Sequence, residues 1–151
     1  MGFMDSLNVS ASGMTAERLR MDVISNNLAN ANTTRTPDGG PFRRKDVMLS
    51  PGESSFSDTM DQAAGLTGGS SNNDMKGVQV TAIVSDSSPF REVYDPGNPD
   101  ADKRGYVRLP NVNVVTEMVD MMTASRAYEA DVTAVNAAKG MATKALEIGR
   151  A

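Results

Sequence analysis

Carboxylates are the side chains of this sequence best suited to chemistry, because it contains neither histidine nor cysteine. Asp58 with Asp61, and Glu117 with Asp120, stand three residues apart, a spacing that places both carboxylates of a pair on one side of a helix. Such a pair could serve as general acid and base. Few apolar residues surround the first pair, and the second fits a polar helix face. Solvated carboxylates are therefore the favoured interpretation of both.

An acidic turn later in the chain resembles the start of a calcium-binding loop, with Asn98, Asp100 and Asp102 at alternate positions. Lys103 occupies the sixth position, where such a loop requires glycine, and Leu109 the twelfth, where it requires a bidentate glutamate. The usual ligands of zinc and copper are missing with His and Cys. No nucleophile-elbow, P-loop or dinucleotide-binding pattern occurs. The sequence thus predicts no catalytic site, metal, cofactor or small-molecule substrate.

The charge of the chain argues against nucleic acid as a partner. Its net charge is -4, whereas neutralising phosphates requires clustered Lys and Arg, and the basic run Arg43–Lys45 is too short to supply that cluster. No segment is apolar for long enough to span a bilayer, and residues 1–7 lack the basic and apolar regions of a secretory signal. By these rules alone the chain would be assigned to the cytoplasm.

The first element that must position such residues is an N-terminal helix. Its apolar residues alternate at spacings of four and three, which predicts a helix with a narrow seam that Glu17 and Arg18 interrupt once. Asp5 or Ser6 is the expected N-cap, and the asparagine-rich stretch after residue 25 should end the helix. The seam consists of Phe3, Leu7, Ala11, Met14, Met21, Ile24, Leu28 and Ala31.

The middle of the chain, residues 35–110, has the composition of short strands and turns. Residues 50–74 are rich in Ser, Gly, Asn and Asp, which predicts a flexible segment. Alternation over Val78, Val80, Ala82 and Val84 predicts a strand with one buried face. Further strands are expected at 42–49, 90–94 and 106–109, the last two pairing with the strand at 78–84.

A second, longer helix is predicted after Pro110, with Asn111 or Asn113 as its N-cap. The chain then runs to Gly149 without proline, which corresponds to about 54 Å of helix. Its seam keeps spacings of four and three for about five heptads, as expected of a helix packed along its length by another helix. The seam consists of Val114, Met118, Met121, Ser125, Tyr128, Val132, Val135, Lys139, Ala142 and Leu146.

These elements predict a mainly α fold. Long N- and C-terminal helices, within 1–34 and 111–151, are expected to pack as an antiparallel coiled-coil-like pair and form one helical domain beside the β-rich and loop-rich middle. The N-terminal helix is the shorter one, so part of the C-terminal seam should face other chains. The predicted assembly interface is Leu7, Met14, Met21, Ile24, Leu28, Met118, Met121, Tyr128, Val132, Val135 and Leu146.

Several stretches resemble the bacterial flagellar rod and hook protein family. Two of them adjoin the helices, and those in the middle are similar to the proximal rod members of that family. The stretches are Ile24–Thr33, Asp38–Lys45, Tyr94–Asp100, Gly105–Val119 and Ser125–Ala130.

The resemblance implies a subunit of the periplasmic drive shaft that transmits torque from the flagellar motor to the hook. It implies that terminal helices of copies of this chain and of other rod proteins pack into concentric tubes, through a repeating interface that builds an open filament. It also implies export through the flagellar type III apparatus with an uncleaved N-terminus, so that no signal peptide is expected.

Two other classes of function compete with this one. A cytoplasmic coiled-coil adaptor or export chaperone would share the helices but would fold stably alone. An enzyme would have to work with carboxylates alone.

Overall fold

A computed structural model of the chain describes residues 3–37, 39–52 and 77–149. Predictions for Asp58, Asp61 and most of the segment 50–74 lie outside the described residues. The elements in chain order are α1 (Phe3–Ala29), β1 (Lys45–Pro51), β2 (Val78–Ser85), β3 (Arg91–Tyr94), β4 (Tyr106–Leu109) and α2 (Val114–Ile148).

The N-terminal helix α1 ends where the asparagine-rich stretch predicted its end. The Asn30 side chain donates to the carbonyl oxygen of Asn26 at 2.9 Å and competes with the helical hydrogen-bonding pattern there. The predicted N-caps, Asp5 and Ser6, were wrong, because both lie within α1. Asp5 lies in the first turn, where a carboxylate interacts favourably with the helix dipole.

The C-terminal helix α2 has 35 residues, or about 52 Å. Asn113 is its N-cap: its Oδ1 accepts hydrogen bonds from the backbone N–H groups of Val115, at 3.1 Å, and Thr116. At the other end the N–H of Gly149 donates to the carbonyl oxygen of Ala145 at 3.1 Å. Of the two cap candidates, Asn113 is therefore the correct one.

The two helices contact each other, and small residues on both of them are buried. Ala16 on α1, and Ala124 and Ala138 on α2, are buried, and short side chains let helix backbones approach closely. At Gly13 a Cβ atom would lie 2.7 Å from Oδ2 of Asp131. The described chain is thus mostly helical, and none of its described helices carries an apolar stretch that could cross a membrane.

Strands β1 and β2 form an antiparallel two-stranded sheet. The pairing shifts by one residue after Met48, which lies opposite Ala82, so that Leu49 lies opposite Val80. At the end of this hairpin the N–H of Gly52 donates to the carbonyl oxygen of Gly77 at 2.6 Å.

The hairpin is attached to α1 through Ser12. The backbone N–H of Val78 donates to Ser12 Oγ at 3.0 Å, and Ser12 Oγ–H donates to the carbonyl oxygen of Val9 at 2.7 Å. Gly77 lies so close to Ser12 that a side chain there would collide with it.

The predicted buried face of β2 is not found within the described chain. Val80 is half-buried, whereas Val78, Ala82 and Val84 are exposed. A two-stranded sheet buries a face only where another element covers it, and α1 covers only part of this one.

The predicted partner of the two later strands was also wrong. β3 and β4 pair with each other, antiparallel, with Arg91 opposite Leu109, and form a second two-stranded sheet. The Tyr94 and Tyr106 rings meet edge to face at 5.3 Å. Gly105 turns the chain beside them with φ of 78°, a conformation that favours glycine.

Candidate assembly interface and its polar anchor

Glu117 is a fully buried carboxylate in the first turns of α2, with 0% of its surface exposed. Its Oε1 accepts a hydrogen bond from Arg44 Nε at 2.5 Å, and its Oε2 accepts one from Asn27 Nδ2 at 3.0 Å. Because it lies near the helix N-terminus, the helix dipole also stabilises its negative charge. The prediction that Glu117 belongs to a polar helix face was therefore wrong.

Asn27, near the end of α1, connects that helix to β1. Its Oδ1 accepts from the backbone N–H of Lys45 at 2.9 Å, and its Nδ2 donates to the Lys45 carbonyl oxygen at 2.8 Å. The other Nδ2 hydrogen serves Glu117. A buried amide with its donors satisfied avoids the cost of an unpaired polar group.

Arg44 neutralises Glu117 from the segment before β1. The hydrogen bond with Glu117 raises the pKa of the Arg44 guanidinium above its ordinary value, against the opposing effect of burial. Asp46 and Asp120 lie 3.7 Å from the other guanidinium nitrogens. Arg44 therefore stays charged, and its backbone N–H donates to Asn111 Oδ1 at 2.8 Å.

We call Asn27, Arg44, Asn111 and Glu117 the polar node. Asn111, which did not become the helix cap, also donates through Nδ2 to the Asp86 carbonyl oxygen at 3.3 Å. The node thus joins both helices to the first sheet and to the segment after it.

Arg43 and Asp86 brace the segment beside the polar node. Arg43 donates to the Asp86 carbonyl oxygen at 2.7 Å, and its guanidinium carbon lies 4.4 Å from the centre of the Phe90 ring. Ser88 donates to Asp86 Oδ1 through both its hydroxyl, at 2.6 Å, and its backbone N–H. These two hydrogen bonds lower the pKa of the Asp86 carboxyl.

The predicted interface residues differ in how far the single chain covers them. Ile24 is buried, whereas Met118 and Leu146 are exposed, by 53% and 71%. The other predicted residues are half-buried: Leu7, Met14, Met21, Leu28, Met121, Tyr128, Val132 and Val135.

The covered side of α2 is rotated relative to the predicted seam. Met121, Tyr128 and Val135 belong to both, but the most deeply buried positions are Glu117, Ala124 and Ala138. Spacing could have revealed this, because Glu117, Met121, Ala124 and Tyr128 recur at intervals of four and three. The seam prediction missed this stripe because it begins with a charged residue, Glu117.

A groove of about 490 Å³ opens beside the exposed part of this face. We call it the methionine groove. It is lined by Leu28, Met118, Met121, Met122, Ser125, Arg126 and Glu129. Flexible methionine side chains adapt to the shape of a partner, which makes such a groove suited to binding another helix.

Asp100 and Asp102, the carboxylates of the calcium-loop-like turn, accept hydrogen bonds from nearby groups. Asp100 Oδ2 accepts from Thr34 Oγ1 at 2.7 Å, and Asp102 Oδ1 accepts from the backbone N–H of Lys103 at 2.7 Å. Over residues 3–37, 39–52 and 77–149, no group of three or more potential ligands could hold a metal ion.

Comparison with known proteins identifies the family of the chain. A family model described as flagella basal body rod protein matches residues 7–35, and one described as flagellar basal body rod FlgEFG protein C-terminal matches residues 103–148. The flagellar basal-body rod protein FlgC of Bacillus subtilis is 50% identical over 96% of this chain and 97% of its own length. Those of Borreliella burgdorferi and Escherichia coli are 47% and 38% identical, over 98% and 99% of this chain and 98% and 100% of their own lengths.

The chain belongs to the FlgC family of flagellar basal-body rod proteins. It is a structural subunit of the flagellar basal body, and its FlgC relatives are named as rod proteins and not as enzymes. Both matched regions carry helices, and each contributes to the polar node, through Asn27 in the first, and Asn111 and Glu117 in the second.

Proposed function

We propose that this FlgC-family chain assembles with copies of itself and with other rod proteins into the periplasmic drive shaft that transmits torque from the motor to the hook. The observation that carries the proposal is the set of large apolar side chains that one chain leaves exposed along α2. Met118 and Leu146 stand near its two ends. Large apolar side chains that are exposed together on one helix are a feature of protein–protein contacts.

In this proposal the helical domain of the subunit is an antiparallel, coiled-coil-like pair that lies within the ranges 1–34 and 111–151, and the range 35–110 is the middle. Two close approaches support the direction of the pair. Asn27 meets Glu117, and Gly13 meets Asp131. From the first approach to the second, α1 runs back by fourteen residues, from Asn27 to Gly13, while α2 runs forward by fourteen, from Glu117 to Asp131. The two helices therefore run in opposite directions.

The same correspondence leaves the end of α2 without a partner from the described residues of α1. In that register residue 141 would lie opposite Phe3, where α1 begins. Beyond it α2 continues to Ile148, with Leu146 exposed. The predicted interface residues Leu7, Met14, Met21, Leu28, Met118, Met121, Tyr128, Val132, Val135 and Leu146 are the surface that neighbouring subunits cover, and Ile24 supports it from within.

The polar node gives this subunit a route for force between its helices and its middle. Glu117 on α2 and Asn27 on α1 both bind the segment that opens β1, through Arg44 and Lys45. A load on the helices is therefore carried to the first sheet by hydrogen bonds, of which the one between Arg44 and Glu117 is charge-assisted. Charge-assisted hydrogen bonds are about twice as strong as neutral ones.

Export through the flagellar type III apparatus, without a cleaved signal peptide, completes the proposal. The resemblance of the chain to rod and hook proteins supports this route. Mass spectrometry of the chain isolated from basal bodies would test it: an intact Met1 or Gly2 end is expected, and a shortened end would contradict it.

Assembly through the helices is tested by Val132→Asp, which places a charge on a half-buried position of α2. The variant should be produced at the normal level but should abolish rod assembly and swimming, because an unpaired charge is costly to bury between helices. The control is Asn136→Asp, a comparable charge on an exposed position one turn later. Normal swimming of the Val132→Asp strain would contradict the proposal.

The competing adaptor or chaperone function is not favoured by the family to which the chain belongs. Fractionation separates the two: a rod subunit, tagged and produced from its own locus, co-purifies with basal bodies. A chain found only in the cytoplasm would support the adaptor.

A further inference from the structure

The outer edge of strand β2 is open over a stretch where the outer edge of β1 is partly occupied. In an antiparallel pair the backbone groups of alternate residues point away from the partner strand. On β1 these are Lys45, whose N–H and C=O bind the Asn27 amide, and Val47, whose N–H donates to the preceding carboxylate at 2.8 Å. On β2 they are Ile83 and Ser85. Their outward backbone groups have no hydrogen bond to any described residue.

Strand β3 has an open edge of the same kind. The N–H of Asp95 donates to the Gly105 carbonyl oxygen at 2.9 Å, which fixes the alternation along the strand. The backbone groups of Glu92 and Tyr94 therefore point away from β4. They too lack a hydrogen bond within the described part of the chain. Each open edge thus presents two residues, separated by one, whose donors and acceptors can bind a further strand.

The two open edges do not meet within one described chain. β2 and β3 belong to separate sheets, and the two strands do not contact each other. The segment that joins them is held by Arg43 and Asn111, which both donate to the carbonyl oxygens of Asp86 and Ser88. A β3 strand that covers the β2 edge therefore comes from a second copy.

One antiparallel register matches all four open residues. It places Ile83 opposite Tyr94 and Ser85 opposite Glu92, so that each of these two pairs exchanges two backbone hydrogen bonds. A shift by one residue would present groups that already bind β1 or β4. A shift by two would leave Ile83 or Ser85 opposite a residue outside β3. The open backbone groups therefore select a single alignment.

The side chains that this register brings together are complementary. Val84 lies opposite Val93, and these two valines are 47% and 40% exposed in the single chain. Asp86, next after β2, lies opposite Arg91, the first residue of β3. Cross-strand pairs of β-branched residues and of opposite charges both stabilise a sheet.

A groove lies beside the position that Tyr94 takes in this register. Ile83, its cross-strand partner, lines a groove of about 490 Å³ between the hairpin and α1. The α1 side of the groove consists of Asp22, Val23 and Asn26. Tyr94 is 64% exposed on its own chain. An aromatic ring with a polar tip suits a groove that is lined by both apolar and polar side chains.

We propose that β2 of one subunit pairs with β3 of a second copy of this chain, antiparallel, with Ile83 opposite Tyr94. This rests on the proposed function and adds a strand-to-strand contact in the middle of the chain to the contacts of the helices. Two subunits then share one four-stranded sheet in the order β1, β2, β3, β4. The contact is heterologous, since two different strands pair, so it extends from copy to copy without closing a two-fold dimer.

The absence of cysteine from the chain allows a direct test by disulfide cross-linking. Val84→Cys and Val93→Cys are introduced into two separately tagged copies of the full chain, which are produced together, and intact basal bodies are oxidised. Opposite residues of a pair without mutual hydrogen bonds have Cα atoms about 4.5 Å apart, within the range that a disulfide spans. We expect a product of twice the chain mass that carries both tags.

The matched control is Glu92→Cys in place of Val93→Cys. Its side chain points to the opposite face of the sheet, so it should give at least about tenfold less of the product. Ile83→Pro, added to the copy with Val84→Cys, removes an outward N–H without breaking the β1–β2 ladder and should lower the yield per assembled chain about fivefold. Ile83→Val keeps this N–H and should leave the yield within about twofold.

The outcomes separate this inference from the proposed function. If both tagged chains are present in the basal bodies but Val84→Cys and Val93→Cys form no doubly tagged product, the strand pairing is wrong and the rod function stands. Equal yields for Ile83→Pro and Ile83→Val also overturn it, because the pairing needs the N–H of that residue. A cross-link from Val84→Cys to a protein of another mass overturns it in favour of a different occupant. If the tagged wild-type chain is missing from basal bodies, the rod function itself fails.

Discussion

The polar node should contribute more to the stability of this chain than any surface ion pair. In Glu117→Ala, Arg44 and Asn27 each lose an acceptor inside the fold. Removing one partner of a buried ion pair costs about 3–5 kcal/mol. The Arg44 side chain is 22% exposed and keeps Asp46 and Asp120 nearby, so we expect the low end, about 3 kcal/mol of unfolding free energy.

The more conservative Glu117→Gln separates charge from shape. The amide oxygen can still accept from Arg44, but the amide nitrogen then faces the Nδ2 donor of Asn27, and one donor is left without an acceptor. An unsatisfied buried group costs about 1–3 kcal/mol, so a loss of about 2 kcal/mol is expected. Glu92→Ala is the control, because Glu92 pairs with Arg108 at 3.5 Å on the surface, where such pairs contribute less than about 1 kcal/mol.

Urea unfolding of the purified full chain, followed by circular dichroism at 222 nm, measures all three variants. With a slope of about 1.5–2 kcal/mol per molar urea, Glu117→Ala should lower the midpoint by about 1.5–2 M and Glu92→Ala by less than about 0.7 M. A double-mutant cycle with Arg44→Ala should give a coupling energy above about 1 kcal/mol. Equal midpoints for Glu117→Ala and Glu92→Ala would refute the anchoring role of the node.

Two further predictions concern glycines and pH. Gly140→Ala should stabilise the purified chain by about 0.5–1 kcal/mol in the same assay, because nothing lies within 4 Å of the new Cβ. Gly13→Ala should stabilise it less, since the Asp131 carboxylate must rotate away from the new Cβ. A larger gain in stability at Gly13 than at Gly140 would contradict the observed packing. Because the folded pKa of Asp86 is depressed, the Asp86–Ser88 turn stabilises the chain above the unfolded value of about 3.9 and loses this as pH falls through the lower folded pKa. Ser88→Ala should therefore raise the Asp86 pKa in an NMR titration; an unchanged value would be inconsistent with the hydrogen-bonded cause.

Local sequence signals predicted the helices of this chain well. The spacing of apolar residues gave both helices, the asparagines gave the end of α1, and Asn113 caps α2 through contacts two and three residues away. Each of these signals acts within one or two helical turns. Such signals can be evaluated from the sequence without knowledge of the tertiary fold.

The polar node and the strand partners could not be predicted in the same way. Glu117 lies 73 residues from Arg44 and 90 from Asn27, and a carboxylate on a helix is usually solvated unless such partners reach it. The alternation in β2 correctly predicted a strand. It did not reveal that β3 and β4 pair with each other, because pairing depends on chain topology as well as on pattern.

The polar node fixes how α1 and α2 are aligned, and the exposed side of α2 is left for other contacts. A single apolar seam would have to serve both purposes. Apolar contacts are not directional, so a helix with exposed methionines on one side could also slide against α1. Glu117 prevents this in the single chain, since any shift along the helix would separate it from Asn27 and Arg44 and leave buried charge unpaired. The α1–α2 register is thereby fixed by polar groups, and the apolar side of α2 stays exposed, as the proposed contacts with neighbouring subunits require.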